Sequence, residues 1–381
     1  MHRLLVLMLG AFVAQTTEYL PIGLLPQIAA DLGVFEARAG ALVTGYAWVA
    51  ALTAIPFTIA TQRVPRRTLF LGLLGIMSTA DALAALATTF PMLIFLRLVT
   101  ALTHGVFWSM IAAYAVRSCP DMPASRATAW ALGGISLALV VGVPMATAVG
   151  QWLGWRFAFS TYFLLGGATL CFGYGFLPKL EGVFQPLPMQ GSMQGTAILY
   201  MAALVSMVAV TAHFVGYTYV VPILNGVSPI PEAHHALVLM VFGIAGVAGT
   251  WLAGWLSLKP FVMALLATIG VASSQVAILF MHSPEIWTWL DMALWGMSVA
   301  VLIVGLQSWV IEIAPDRADV ASSLYVAAFN LGIGSGALIG GMALSKAGGG
   351  AVLMTGSVLG GLASLIFMIP WKVENWRRSA S

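Results

Sequence analysis

LLVLMLGAFVAQTTEYLPIGLLPQIA, residues 4–29, is an apolar run with a single acid, Glu18, near its middle. About 20 apolar residues span a bilayer as a helix, so the run is long enough to cross. Met1-His2-Arg3 before it resembles the start of a secretory leader, but the run continues past Gln15-Thr16-Thr17-Glu18 to Ala30, too long for a leader's apolar core. It reads as a first transmembrane helix. Working outward, apolar stretches broken by short polar or Gly/Pro-rich punctuation predict twelve spans: 4–29, 39–60, 69–88, 92–116, 127–148, 157–177, 196–221, 236–257, 261–281, 287–312, 321–345 and 351–371. The expected fold class is an all-α membrane protein with 12 transmembrane helices.

Composition agrees. Of 381 residues, 60% are apolar and 8% charged, and mean hydropathy is +0.97. Soluble domains carry roughly 25% charged residues, and one core could not bury this much apolar surface. A disordered chain, a coiled coil, a secreted disulfide scaffold and a nucleic-acid binder are excluded. Cys119 and Cys171 form no disulfide or metal framework and read as structural.

The longest loop lies mid-chain and carries Pro178, Pro186 and Pro188. It predicts a six-helix bundle over 1–177, a cytoplasmic linker over 178–195 and a second six-helix bundle over 196–381. Basic residues favour the cytoplasmic side of a membrane protein. With both termini cytoplasmic, that side receives Arg3, Arg63, Arg66, Arg67, Arg117, Arg126, Lys179, Lys259, Arg317, Lys372, Arg377 and Arg378, and the other only Arg38, Arg156 and Lys346. An internal echo supports two related halves. Cys119-Pro120-Asp121 precedes span 5 and Ala314-Pro315-Asp316 precedes span 11, and glycine-rich stretches follow both.

Ionisable groups at membrane depth point to function, since each costs roughly 2.5 kcal/mol or more to bury. Glu18 lies about 21 Å up helix 1 at 1.5 Å per residue. Asp81 in span 3 and Arg97 in span 4 reach about the same level. Glu18 and Arg97 are the expected proton-coupling pair; Asp81 either joins them or lies in the outer headgroup region. The roles of Asp81 and Asp291 stay open. His2, His234, His235 and His282 fall at ends or loops and are expected to be solvated. His104 follows Arg97 by two helical turns on one face, and His213 stands 195 residues after Glu18. Shared helix faces assemble the expected substrate contacts Gln15, His104, Trp108, His213, Tyr217 and Asn330. This mixture of rings and amides suits a neutral polar ligand.

No nucleotide-binding loop, zinc-protease helix or serine-nucleophile elbow is present. Gly332-Ile333-Gly334-Ser335-Gly336 is too apolar in context for a dinucleotide loop and reads as close helix packing. The chain is not expected to be an enzyme, nor to need a cofactor; its energy would come from an ion gradient. A membrane-embedded enzyme lacks a nucleophile–base or metal set here, and a ligand sensor lacks a soluble output domain.

Thr17-Glu18-Tyr19 with Gly23 through Val34 resembles the first-helix signature of the drug:proton antiporters of the major facilitator superfamily, and the resemblance runs to helix 12. Arg97 matches that family's helix-4 arginine, implicated in proton coupling. Gly142-Val143-Pro144, followed by Gly150 through Arg156, resembles the antiporters' helix-5 motif. Tyr46-Ala47-Trp48, Phe107-Trp108-Ser109, Thr211-Ala212-His213 and Ala314 through Gly334 are similar to the sugar efflux transporters of bacterial inner membranes. The resemblance implies a major facilitator fold and proton-coupled export of sugars such as arabinose, related sugars or galactosides across the cell inner membrane, with proton and sugar-like small molecule as partners and a monomer in the bilayer. The alternative is efflux of chloramphenicol-like drugs or purine nucleosides by the same fold. Gating would fall to Arg63, Arg66, Arg67, Gly142 and Pro144. The helix 2–3 loop departs from the family pattern: Gln62-Arg63-Val64-Pro65-Arg66-Arg67 keeps the basic cluster but lacks its acid and glycines, so a latch relying on that acid must be altered.

Overall fold

The computed structural model describes residues 1–182, 193–228, 230–255, 258–280, 284–314 and 318–380, with side chains left out at 124–125, 193–197, 318–320 and 368–380. Every regular element among the described residues is helical. In order they are α1 (His2–Asp31), α2 (Glu36–Ala39), α3 (Ala41–Thr61), α4 (Arg66–Ala85), α5 (Phe90–Ser118), α6 (Ala124–Leu137), a π turn (Ala138–Gly142), α7 (Val143–Leu153), α8 (Trp155–Phe176), α9 (Met193–Tyr217), α10 (Val220–Val227), a 3₁₀ turn (Glu232–His234), α11 (His235–Trp255), α12 (Pro260–Phe280), α13 (Ile286–Ile313) and α14 (Ala318–Ala380).

Eleven helical stretches among the described residues are long and apolar enough to cross a membrane. The last, within α14, is broken at Ala347 and at Gly348, whose φ of 73° is a left-handed conformation that glycine adopts freely. It therefore contributes two spans, which makes twelve. Helices are what the composition demands: in hydrocarbon every backbone polar group must be satisfied within the protein.

The chain divides into two units, Met1–Pro186 with His235–Met240, and Leu187–His234 with Val241–Ser381. In the first, α1 is buried along most of its length among α5, α6, α7 and α8. Close approach to α1 depends on small residues: a Cβ on Gly134 would run into the Met8 and Phe12 backbone, and one on Gly142 into Thr16. The expected fifth span, 127–148, is longer and irregular, because the π turn interrupts it just before Pro144, which has no N–H to give the helical ladder. The Gly142 carbonyl accepts from the Tyr162 hydroxyl at 2.6 Å.

Segment 178–182 is tied to the end of the first unit through its carbonyls. Tyr114 donates to Pro178 at 2.8 Å, the Arg66 backbone N–H to Leu180 at 2.7 Å, and Arg117 to Glu181 at 2.9 Å. Of the expected linker, 183–192 lies outside the described residues, and α9 already begins at Met193.

In the second unit α9 packs on α14 through a stripe of glycines four residues apart. A Cβ on Gly332, Gly336 or Gly340 would come within 3.0 Å of the carbonyl oxygen of Met207, Thr211 or Val215. The glycine-rich stretch is thus helical and in close contact, as its sequence context implies. The expected span 196–221 is corrected: α9 stops at Tyr217 and α10 resumes at Val220, because Pro222 removes the N–H that would pair with the Thr218 carbonyl. One histidine is also corrected. His235 is fully buried rather than solvated, because it opens the stripe His235, Val238, Leu239 and Phe242 on the inner face of α11.

Candidate functional site

The first unit gathers its polar residues where proline interrupts the hydrogen-bond ladder of α1. Pro21 and Pro26 lie inside α1, and a proline leaves the carbonyl four residues earlier without its helical partner. For Pro21 that carbonyl belongs to Thr17. Arg97 of α5 fills the vacancy: its Nη1 donates to the Thr17 carbonyl at 2.5 Å and its Nη2 to the Glu18 carbonyl at 2.7 Å. The guanidinium also lies 4.4 Å from the ring centroid of Tyr46 on α3, and only 2% of Arg97 is exposed.

The expected side-chain ion pair between Glu18 and Arg97 is not formed; no Glu18 or Asp81 carboxylate oxygen lies within the 4.0 Å ion-pair distance of the guanidinium. Arg97 instead turns its donors to the backbone that Pro21 left open. The Glu18 carboxylate takes other company. Gln15 Nε2, one helical turn back, donates to its Oε2 at 2.9 Å, and His104 Nδ1 stands 3.8 Å from the same oxygen. The same His104 nitrogen is 3.2 Å from the Tyr46 hydroxyl, so it links the two groups. Trp108, one turn along α5, presents its ring edge-on to His104 at 6.0 Å between centroids.

Asp81 belongs to this set and not to the headgroup region: it is 1% exposed and accepts from Thr17 Oγ1 at 2.7 Å. Consecutive residues of α1 therefore face two carboxylate environments, Thr17 toward Asp81 and Glu18 toward His104. Sequence reading placed Glu18, Arg97, Gln15, His104 and Trp108 together, and so does the structure. It missed Tyr46 and Thr17 as site residues.

The second unit holds a different assembly. His213 on α9 accepts from Trp295 Nε1 at 3.0 Å through Nδ1, which leaves a proton on Nε2 of the neutral ring. Tyr217 stacks on it at 5.0 Å, Phe242 lies nearly parallel at 6.3 Å and Trp295 stands edge-on at 5.9 Å. Asn330, also buried, donates to the Val326 carbonyl of its own helix at 3.0 Å, and its Oδ1 has no hydrogen-bond partner. Neither Trp295 nor Phe242 was singled out from sequence, although Trp295, nine residues inside α13, is too deep for an interfacial anchor. Gln275 of α12 was also missed; it is fully buried and donates to the Ala212 carbonyl at 2.9 Å.

The expected gating residues divide by partner. Arg66 donates from Nη2 to the Gln62 carbonyl at 3.2 Å. Arg67 donates to the Tyr174 carbonyl and lies 4.7 Å from the centroid of that tyrosine's ring. With the loop's acid gone, carbonyl oxygens and an aromatic face supply the negative ends. Arg63 is exposed, and its backbone lies beside Gly182, a Cβ on which would meet the Gln62 and Arg63 backbone. Gly142 and Pro144 form the irregular turn against α1 described above. Among the described residues, no three His, Cys, Asp or Glu side chains converge as a metal site would require.

A family profile, the Major Facilitator Superfamily, matches residues 7–337. A protein of Pasteurella multocida (strain Pm70) named "probable sugar efflux transporter" is 31% identical over 378 residues, which cover 97% of this chain and 92% of the relative. Its namesake in Helicobacter acinonychis (strain Sheeba) is 33% identical over 373 residues, covering 96% and 94%. Among solved structures, a bacterial homolog of the human lysosomal transporter Spinster, in an inward-facing and occupied conformation, superposes with a TM-score of 0.76 at 14% identity over 97% of this chain and 96% of that one. A D-xylose–proton symporter gives 0.74 at 17% identity over 96% of each; likenesses at that identity establish the fold. With the profile and the full-length relatives agreeing, the chain belongs to the Major Facilitator Superfamily and is a multi-pass membrane transporter of small molecules, not an enzyme.

Proposed function

We propose that this transporter exports sugars, arabinose or related sugars and galactosides among them, in exchange for protons across a bacterial inner membrane. The names of its full-length relatives support the substrate class. The observation that carries the coupling mechanism is the Glu18 carboxylate, 6% exposed at membrane depth, with an amide donor at 2.9 Å and no guanidinium on either oxygen. A carboxylate so placed is costly as an ion, and a proton on Oε2 removes that cost. Arg97, committed to the α1 backbone, fixes the site without quenching it. His104 Nδ1 is near enough to exchange hydrogen-bond partners between Glu18 and Tyr46. Gln15, His104 and Trp108 in one unit and His213, Tyr217 and Asn330 in the other supply substrate contacts, rings for the apolar faces of a sugar and polar groups for its hydroxyls. Coupling requires proton and sugar to stabilise different states. Both termini are cytoplasmic, Arg63, Arg66 and Arg67 hold the cytoplasmic gate with the Gly142–Pro144 turn, and the monomer is the working unit.

Everted vesicles carrying the chain test this. With an acidic lumen, labelled arabinose should accumulate uphill, and a protonophore should abolish the accumulation. Glu18→Gln should lose uphill transport and keep sugar exchange; full uphill transport by that variant refutes the role of Glu18. Block by purine nucleosides or chloramphenicol but not by arabinose would overturn the sugar assignment.

A further inference from the structure

Asp291 is an intramembrane carboxylate that the Glu18 site does not use. It lies five residues into α13, about 8 Å along the helix at 1.5 Å per residue. That depth alone would let it reach a headgroup, but it is buried within the second unit, with 6% of the residue exposed. Its Oδ2 is enclosed and has no hydrogen-bond donor. Beside it on α12 is Ser274, wholly buried, whose hydroxyl faces the Asp291 carboxyl without closing a hydrogen bond of normal geometry. One turn along α13 from Asp291 is Trp295, the donor to His213.

The charged surroundings are sparse. Among the described residues α12 carries no charged side chain, and neither does the part of α11 that belongs to this unit, from Val241 to Trp255. α9 brings His213, already an acceptor for Trp295, and the turn before α11 brings His234, exposed, its ring 6.3 Å from that of Trp289. Among the described side chains of α14 the charged one is Lys346, which is exposed. On α13 itself Glu285 stands exposed at the N-cap and Glu312 one residue from the far end. Among the described residues no cation pairs with Asp291. An ionised carboxylate with a buried, donorless oxygen and no cation would be an uncompensated charge in a low-dielectric site.

We propose that Asp291 is a second proton-binding site, housed in the second unit and independent of Glu18, with Ser274 as the hydrogen-bond partner of its protonated carboxyl. A carboxyl proton gives this group what its surroundings withhold: a donor on one oxygen and no net charge. In the transport cycle, which rests on the proton-coupled reading above, two carboxylates then bind protons for each sugar moved.

Infrared difference spectroscopy of the purified chain, between acidic and alkaline buffer, reads the carboxylic-acid C=O stretch directly and needs no transport. Wild type minus Asp291→Asn should reveal one titrating carboxyl band, and Glu18→Gln should leave that band in place. Asp291→Glu, which keeps the acid if the amide variant fails to fold, should shift the band rather than remove it. An identical titration in wild type and Asp291→Asn, or a band that Asp291→Glu does not shift, would overturn the proposal. In vesicles the proton-to-sugar ratio should fall about twofold in Asp291→Asn; an unchanged ratio beside a lost band would overturn its part in coupling. Loss of the Asp291 band together with full uphill transport by Glu18→Gln would instead refute the Glu18 reading and leave this site standing.

Discussion

Replacing Arg97 by methionine should destabilise the first unit mainly through one atom, the Thr17 carbonyl. That oxygen has no helical partner because residue 21 is proline, and Arg97 Nη1 meets it at 2.5 Å. The Glu18 carbonyl, by contrast, faces Ile22, which has an N–H to give. Leaving a buried carbonyl unsatisfied costs about 1–3 kcal/mol. Restoring an N–H at position 21 should recover that amount, so Pro21→Ala should help Arg97→Met by about 1–3 kcal/mol more than it helps the wild type. Proline against alanine inside a helix is itself worth about 3 kcal/mol, and the comparison must cancel it. A double-mutant cycle does so, because the intrinsic propensity enters both arms equally. Denaturant titration of the four purified proteins in one detergent gives the cycle, and hydrogen exchange along α1 reports where protection returns. Equal effects of Pro21→Ala in both backgrounds would refute the reasoning and leave Arg97 held by charge alone.

Other contacts make separate predictions. Gly336→Val should lower folded yield and cost about 1–3 kcal/mol or more, since its branched side chain meets the α9 backbone at Thr211; thermal unfolding in detergent checks this. His213→Phe keeps the stack on Tyr217 but strands the Trp295 indole N–H, a loss of about 1–3 kcal/mol visible in unfolding and in tryptophan fluorescence. Arg156→Ala should cost under about 1 kcal/mol and less at high salt, because the Arg156–Asp31 pair is 37% and 46% exposed; a loss of several kcal/mol would contradict that.

Much of this protein is written in its sequence because the bilayer imposes a simple rule. An apolar run of about 20 residues must become a helix, since no other structure within one segment satisfies its own backbone. Twelve spans follow, and a constant rise per residue places Glu18, Arg97 and Asp81 at a common depth before any fold is known. The glycines at 332, 336 and 340 mark a face built for close approach.

Depth and face do not choose partners. Only the fold brought α9 against the glycine stripe, which hydropathy could not indicate because lipid and a neighbouring helix are equally apolar. Sequence paired Glu18 with Arg97 by charge, yet the guanidinium went to the Thr17 and Glu18 carbonyls and the carboxylate to Gln15, beside His104. The reason lies in Pro21, visible in the sequence, and in the crossing of α5 over that point of α1, which is not. What the sequence alone determined is which groups lie in the membrane and how deep, because hydrocarbon judges each segment separately. What only the tertiary structure decided is which donor meets which acceptor, because that is a property of two segments at once.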